Sequence, residues 1–234
     1  YNQRNINIQQ NQPLKTNQIT TKSNYSNNIL EKAVSAYIEQ KFELLEAITK
    51  CETQNEYYVT VKDKEGNIHL ICLLSDGGIS SHIDTIKQFN DVLIEKKVNN
   101  QVYIHAISDG KDSSKFSVKK YIERVEEEMR ENCHLSTVCG RYYGLDITED
   151  YNRTKLYYDL IVYGKGVEAP NLNKVIELCY SKKMTDEYIA PLKTLEFKGV
   201  EPNDTIIFLN LNDQPYQQLF ESLCDKKYKK FYTS

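Results

Sequence analysis

The stretch from Ile68 to Leu74 is a continuous apolar run, and it stops abruptly at Asp76-Gly77-Gly78. Such a run suits a strand buried on both faces, and the paired glycines permit a tight turn that a side chain would obstruct. Strands of this kind belong to parallel sheets, in which each strand is joined to the next through a helix. The residues that follow keep that rhythm. Apolar spacing predicts a helix over 83–97, a strand over 102–107, and a helix over 117–132 with an acidic face at 126–128. A strand follows over 135–139, then helices over 151–163 and 171–181, a strand over 205–211 and a last helix around 215–225. Upstream, apolar residues at 30, 33, 34, 37, 38, 42, 45 and 48 have helical spacing, broken once near Lys41. The expected fold class is therefore α/β: a mostly parallel sheet with helices on both faces, in three layers. Any binding crevice would lie along the loops at the carboxyl ends of the strands.

Composition narrows the class of protein. At 234 residues the chain can build one sizeable α/β domain or two small ones. Its net charge of -3 recommends neither nucleic acid nor an anionic membrane as a general partner. No apolar run approaches the roughly 18 residues that a membrane-spanning helix needs. The cysteines at 51, 72, 133, 139, 179 and 224 form no Cys-x-x-Cys pair and no zinc-type cluster with histidine. They are read as reduced, small apolar side chains in a reducing compartment. The histidines at 69, 82, 105 and 134 are scattered and are assigned structural roles, so neither a metal site nor a cofactor is expected.

The first thirty residues are different material. Thirteen of them are Asn or Gln, no acidic residue precedes Glu31, and Arg4, Lys15 and Lys22 carry the only charges. By itself such a segment buries too little apolar surface to offset its ordering entropy. It is read as an extended arm over 1–28 that packs on other proteins, followed by a domain over 29–225 and a Tyr- and Lys-rich tail over 226–234. The basic, acid-free start also has the character of an organelle transit segment, which points to a mitochondrion.

Three strand ends carry the chemistry. The first has Asp76-Gly77-Gly78 and then Ile79-Ser80-Ser81-His82; the second has Asp109-Gly110-Lys111-Asp112; the third has Gly140-Arg141-Tyr142-Tyr143. A single Asp-Gly strand end is usually only a turn, whereas three in this order are far more specific. Together they resemble the substrate-binding domain of cofactor-independent phosphoglycerate mutases. The resemblance continues in Glu43 to Ile48, in His105-Ala106, in Tyr151, Arg153, Tyr158, Asp159 and Gly164, in Thr185 to Ile189 with Pro191, and in Asp204 to Asn210. It covers roughly residues 30 to 220.

The resemblance implies an enzyme built from two parts: a metal-dependent phosphatase-like domain with a serine nucleophile, and a second domain that grips the glycerate. Neither the Asn-Ser-Glu-x-Gly-His nucleophile segment nor the downstream metal ligands occur in this sequence, so no catalytic residue and no metal ligand is assigned. The implied substrate site is also altered. The family's substrate-facing histidine falls at Ser80, its Asp-Gly-Arg-Asp arginine at Lys111, its second arginine at Ile147, and its closing pair at about Asn212 and Pro215. Asp112 and Arg141 match. A charge-assisted contact to an anion contributes roughly 1.5 to 3 kcal/mol, so losing about three arginines should abolish strong recognition of a dianionic glycerate. On this reading Ser80, Lys111, Asp112 and Arg141 are a vestigial substrate site, with Lys111, Asp112 and Arg141 joined in an internal ion pair. The expected function is a non-catalytic accessory subunit, a pseudoenzyme within a large assembly such as a mitochondrial respiratory-chain complex. A fragment or split subunit of an active mutase, and a small-anion-binding regulatory module, are the alternatives.

Overall fold

The computed structural model describes residues 66–95, 97–209, 214–225 and 227–233. The predicted arm, the helix predicted over 29–49, Cys51 and Asn212 lie outside the described residues. The elements are, in order, β1 (Ile68–Leu74), α1 (Asp84–Glu95), β2 (Val102–Ser108), α2 (Val118–Glu128), β3 (Cys133–Gly140), α3 (Arg141–Gly144), α4 (Tyr151–Tyr163), β4 (Val167–Glu168), α5 (Leu172–Ser181), β5 (Leu192–Lys193), β6 (Thr205–Leu209) and α6 (Gln217–Cys224). Short 3-10 turns occupy Asp186–Tyr188 and Gln214–Tyr216.

The sheet runs β4-β5-β3-β2-β1-β6, and β6, β1, β2 and β3 are mutually parallel. Only β5 runs against its neighbour β3. The α/β class read from the sequence is the fold observed. Every residue of β1 is buried, as a strand covered on both faces requires.

Alternation along β1 divides the core. Ile68, Leu70, Cys72 and Leu74 face α1, α2 and α5, whereas Ile71 and Leu73 face α4 and α6. The helices answer with the i, i+3, i+4, i+7 stripe of a half-buried helix: Ile86, Phe89, Asn90 and Leu93 in α1; Val118, Tyr121, Ile122 and Val125 in α2; Thr154, Tyr157, Tyr158 and Ile161 in α4. Each such aliphatic or aromatic side chain, once buried, contributes roughly 1.5 to 3 kcal/mol, which fixes the helices over the sheet.

Caps set the helix limits. The Asp150 side chain accepts from Asn152 N and starts α4, and Gly164 ends it in the left-handed region at φ 61°. Asn171 starts α5 by accepting from Lys174 N at 2.9 Å. The predicted helix over 117–132 stops at Glu128, because Met129 is already extended. Three elements had no counterpart in the sequence reading: β4 and β5, of two residues each, and the single turn α3. From the tail, Phe231 packs edge-on against Tyr158 of α4, and Lys230 lies 4.7 Å from the Tyr151 ring.

Candidate functional site

Asp109 follows β2 directly and is 1% exposed. Gly110, at φ 71°, lets the chain turn back so that the Lys111 and Asp112 amides donate to Asp109 Oδ1, both at 3.2 Å. From the end of β1, Ser75 Oγ donates to Asp109 Oδ2 at 2.6 Å. From the end of β3, Arg141 Nη1 donates to Asp109 Oδ1 at 2.5 Å and to Asp112 Oδ2 at 3.0 Å. Burial alone would push the Asp109 carboxyl up, but Ser75, the Asp112 amide and Arg141 outweigh it and hold it below the usual carboxylate range. Burial likewise opposes the charge on Arg141, and Asp112 and Asp109 restore it. The three parallel strand ends are thus tied by one charged network.

That network uses only one edge of the guanidinium. Among the described residues, neither Nε nor Nη2 of Arg141 has a protein acceptor. The side chain is 13% exposed and that of Asp112 17% exposed, so both reach solvent at the strand-end face. A free guanidinium edge beside a carboxylate is equipped to take an anion and a neighbouring hydroxyl.

The sequence-derived residues divide accordingly. Asp112 and Arg141 meet, as the sequence suggested. Lys111 is exposed and pairs with no carboxylate among the described residues, which corrects the three-residue ion pair; the third member is Asp109. Ser80 is buried in the loop after β1 and takes no part in the network. Ile147 is 62% exposed where the resemblance would have an arginine, and Pro215 sits in a 3-10 turn. Arg153 stands 3.9 Å from the Tyr142 ring centre and pairs with Asp146 and Asp150, holding the turn after Arg141. Arg124 makes surface pairs with Asp84 and Glu128. Arg130 does not; its Nη1 donates to Val98 O instead.

Sequence reasoning missed Ser75, Asp186 and the buried pair His69 and His105. A serine at a strand end and an acid in Thr185-Asp186-Glu187 carry no periodic signal. The segment around Asp186 entered only through the resemblance.

The family model described as BPG-independent PGAM N-terminus matches residues 18–234. The chain belongs to this family. Among curated relatives, the 2,3-bisphosphoglycerate-independent phosphoglycerate mutase of Sulfurimonas denitrificans is 32% identical over 177 residues, covering 76% of this chain and 36% of the relative. That of Clostridium botulinum strain ATCC 19397 is 36% identical over 183 residues, with the same two shares, 76% and 36%. A crystal structure of Leishmania mexicana phosphoglycerate mutase at low cobalt concentration superposes with a TM-score of 0.70 at 18% identity, over 85% of this chain and 38% of that one. It supports the fold. The chain thus spans little more than a third of the length of these mutases.

Membership corrects one expectation. The pseudoenzyme reading rested on a phosphatase-like half that these residues do not contain, yet the relatives named as mutases match this chain over only 36% of their own length. The matched stretch is the one that the N-terminus family model describes, and it is only about a third of those relatives, so a missing nucleophile or metal ligand here says nothing against activity. The accessory-subunit reading loses the same premise. Among the described residues no three of His, Cys, Asp and Glu gather as metal ligands.

Proposed function

We propose that this domain is the part of a phosphoglycerate mutase that grips the phosphoglycerate, and that the whole protein is an isomerase moving a phosphoryl group between two hydroxyls of that substrate. The observation that carries the reading is Arg141, held by Asp109 and Asp112 at the ends of adjacent strands, with two guanidinium nitrogens that have no acceptor among the described residues. Its pinned edge keeps the guanidinium from collapsing onto other acceptors. Its free edge offers two donors to a carboxylate or phosphate, and the outer carboxylate of Asp112 can accept from a substrate hydroxyl. Ile147 contributes no charge, which predicts weaker binding than an arginine there would give.

Calorimetric titration of the full chain with 3-phosphoglycerate tests this. Binding is expected, and Arg141→Lys, which keeps the charge but loses the planar fork, should weaken it by roughly tenfold or more. Lysine leaves Asp109 with a cationic partner, so the fold should survive, as circular dichroism would check. No heat at millimolar ligand from folded wild-type protein would sink the proposal.

A further inference from the structure

We infer that Asp186 is a positioning residue for the anion site: it sets the spacing between the loop that carries Asp109 and Asp112 and the loop that carries Arg141. The inference rests on the phosphoglycerate-binding reading for its ligand, but its geometry is independent of it.

Asp186 is fully buried, 69 residues from the helix it caps. The start of α2 has no cap of its own, since the Ser117 side chain takes no part in one. Instead Asp186 Oδ2 accepts from Ser117 N at 2.7 Å, Val118 N at 2.9 Å and Ser117 Oγ at 3.2 Å, while Oδ1 accepts from Tyr180 Oη at 2.5 Å. Two amides and the Tyr180 phenol, with the Ser117 hydroxyl shared between Asp186 Oδ2 and Ser114 O, fix the far end of the loop that starts at Asp109.

The backbone around Asp186 fixes the near end. Ser108 Oγ donates to Asp186 O at 2.7 Å, and Asp186 N donates to Lys115 O at 2.9 Å. On the other side, Gly140 N donates to Ile189 O at 2.7 Å. A Cβ on Gly110 would come within 2.9 Å of Glu187 N, and one on Gly140 within 2.2 Å of Glu187 O. The 186–189 segment is therefore wedged between the two glycines that flank Asp109 and Arg141. The Arg141–Asp112 contact spans that wedge, so loosening the wedge lets the guanidinium swing.

The test uses Asp186→Ala and Tyr180→Phe in the full chain, with Leu93→Ala as an equally folded but destabilised control on α1. Two readouts are taken: 3-phosphoglycerate affinity by calorimetry, and the Arg141 Nε–Hε resonance by NMR in the absence of ligand. Asp186→Ala should weaken binding roughly tenfold and shift or broaden the Arg141 resonance. Tyr180→Phe, which removes one donor and leaves the cap, should produce about a threefold loss and a smaller shift. Leu93→Ala should change neither. If Asp186→Ala does not fold, Tyr180→Phe decides. Wild-type affinity and an unmoved Arg141 resonance in the Asp186 and Tyr180 variants, or equal changes in the Leu93 control, overturn the inference. Absence of any heat from wild-type protein would remove the phosphoglycerate reading instead, and the Arg141 resonance would still settle the positioning role.

Discussion

Adding one methyl group at Gly140 is expected to destabilise the domain by about 3 kcal/mol or more. The backbone there has φ -65° and ψ 149°, an extended conformation open to any residue. The obstacle is space: a Cβ would meet Glu187 O at 2.2 Å, Glu187 C at 2.7 Å and Ile189 N at 2.8 Å. All three are backbone atoms, which cannot rotate aside, so the strand end must separate from the 186–189 segment and lose the Gly140 N to Ile189 O hydrogen bond. Gly78 is the opposite case. Its φ of 67° is left-handed, but the nearest atom to a Cβ is His82 Cδ2 at 4.0 Å. Gly78→Ala should therefore cost only the conformational strain, roughly 1 to 2 kcal/mol. Urea unfolding of both variants checks the pair. Equal losses, or a larger loss at Gly78, would contradict the steric account.

The second large effect is a steep loss of stability on mild acidification. His69 and His105, both 0% exposed, lie on neighbouring strands with His69 Nδ1 and His105 Nε2 2.9 Å apart and their ring planes within 6° of parallel. His69 Nε2 is 2.9 Å from Asp204 Oδ2, and His105 Nδ1 is 3.0 Å from Thr137 Oγ1. With both rings neutral and Asp204 ionised, one assignment satisfies every contact. Thr137 Oγ1 donates to His105 Nδ1, His105 Nε2 to His69 Nδ1, and His69 Nε2 to Asp204. One added proton can be taken up at His105 Nδ1 if the Thr137 hydroxyl turns to accept from it. A second would place N–H on both sides of that contact and break it.

Burial lowers the His69 pKa against the opposition of Asp204 and Glu201, and burial with His69 nearby lowers that of His105 well below its usual value. In the unfolded chain both titrate near 6.5. Above that pH neither state binds these protons and the pair costs nothing. As pH falls through about 6.5 the unfolded state gains protons that the native state refuses, so stability falls. The limiting slope is about 1.4 kcal/mol per pH unit for each group, until the native pair itself protonates. The groups that face the pair are Asp204 and Glu201 near β6, Tyr103 on β2, and Phe197, whose ring lies 4.9 Å from that of His105. Melting temperatures between pH 8 and 5 should drop steeply below 6.5, and His105→Gln, which can still donate to His69, should flatten the curve. A wild-type profile that is level across this range would rule the account out.

The sequence determined the elements that local periodicity can report. Ile68 to Leu74 was legible to the residue, because a strand buried on both faces must be apolar throughout. Residues 151–163 were equally so, since the helical stripe and the Gly164 stop are written locally. Asp112 and Arg141 were visible because polar residues at strand ends stand out against apolar strands. Tertiary structure alone decided the rest. The two-residue strands β4 and β5 are too short to show a period, and they pair only because β3 offers an edge. The partner of Arg141 included Asp109, and not Lys111, because the Gly110 turn aims one carboxylate inward and leaves the lysine in solvent. Asp186 capping a helix 69 residues away, and two histidines 36 residues apart sharing a proton, depend on strand register and on loops meeting at the sheet end. A one-dimensional pattern records which side chains avoid water. It does not record which buried polar groups will find each other, and the chemistry of this domain lies in those pairings.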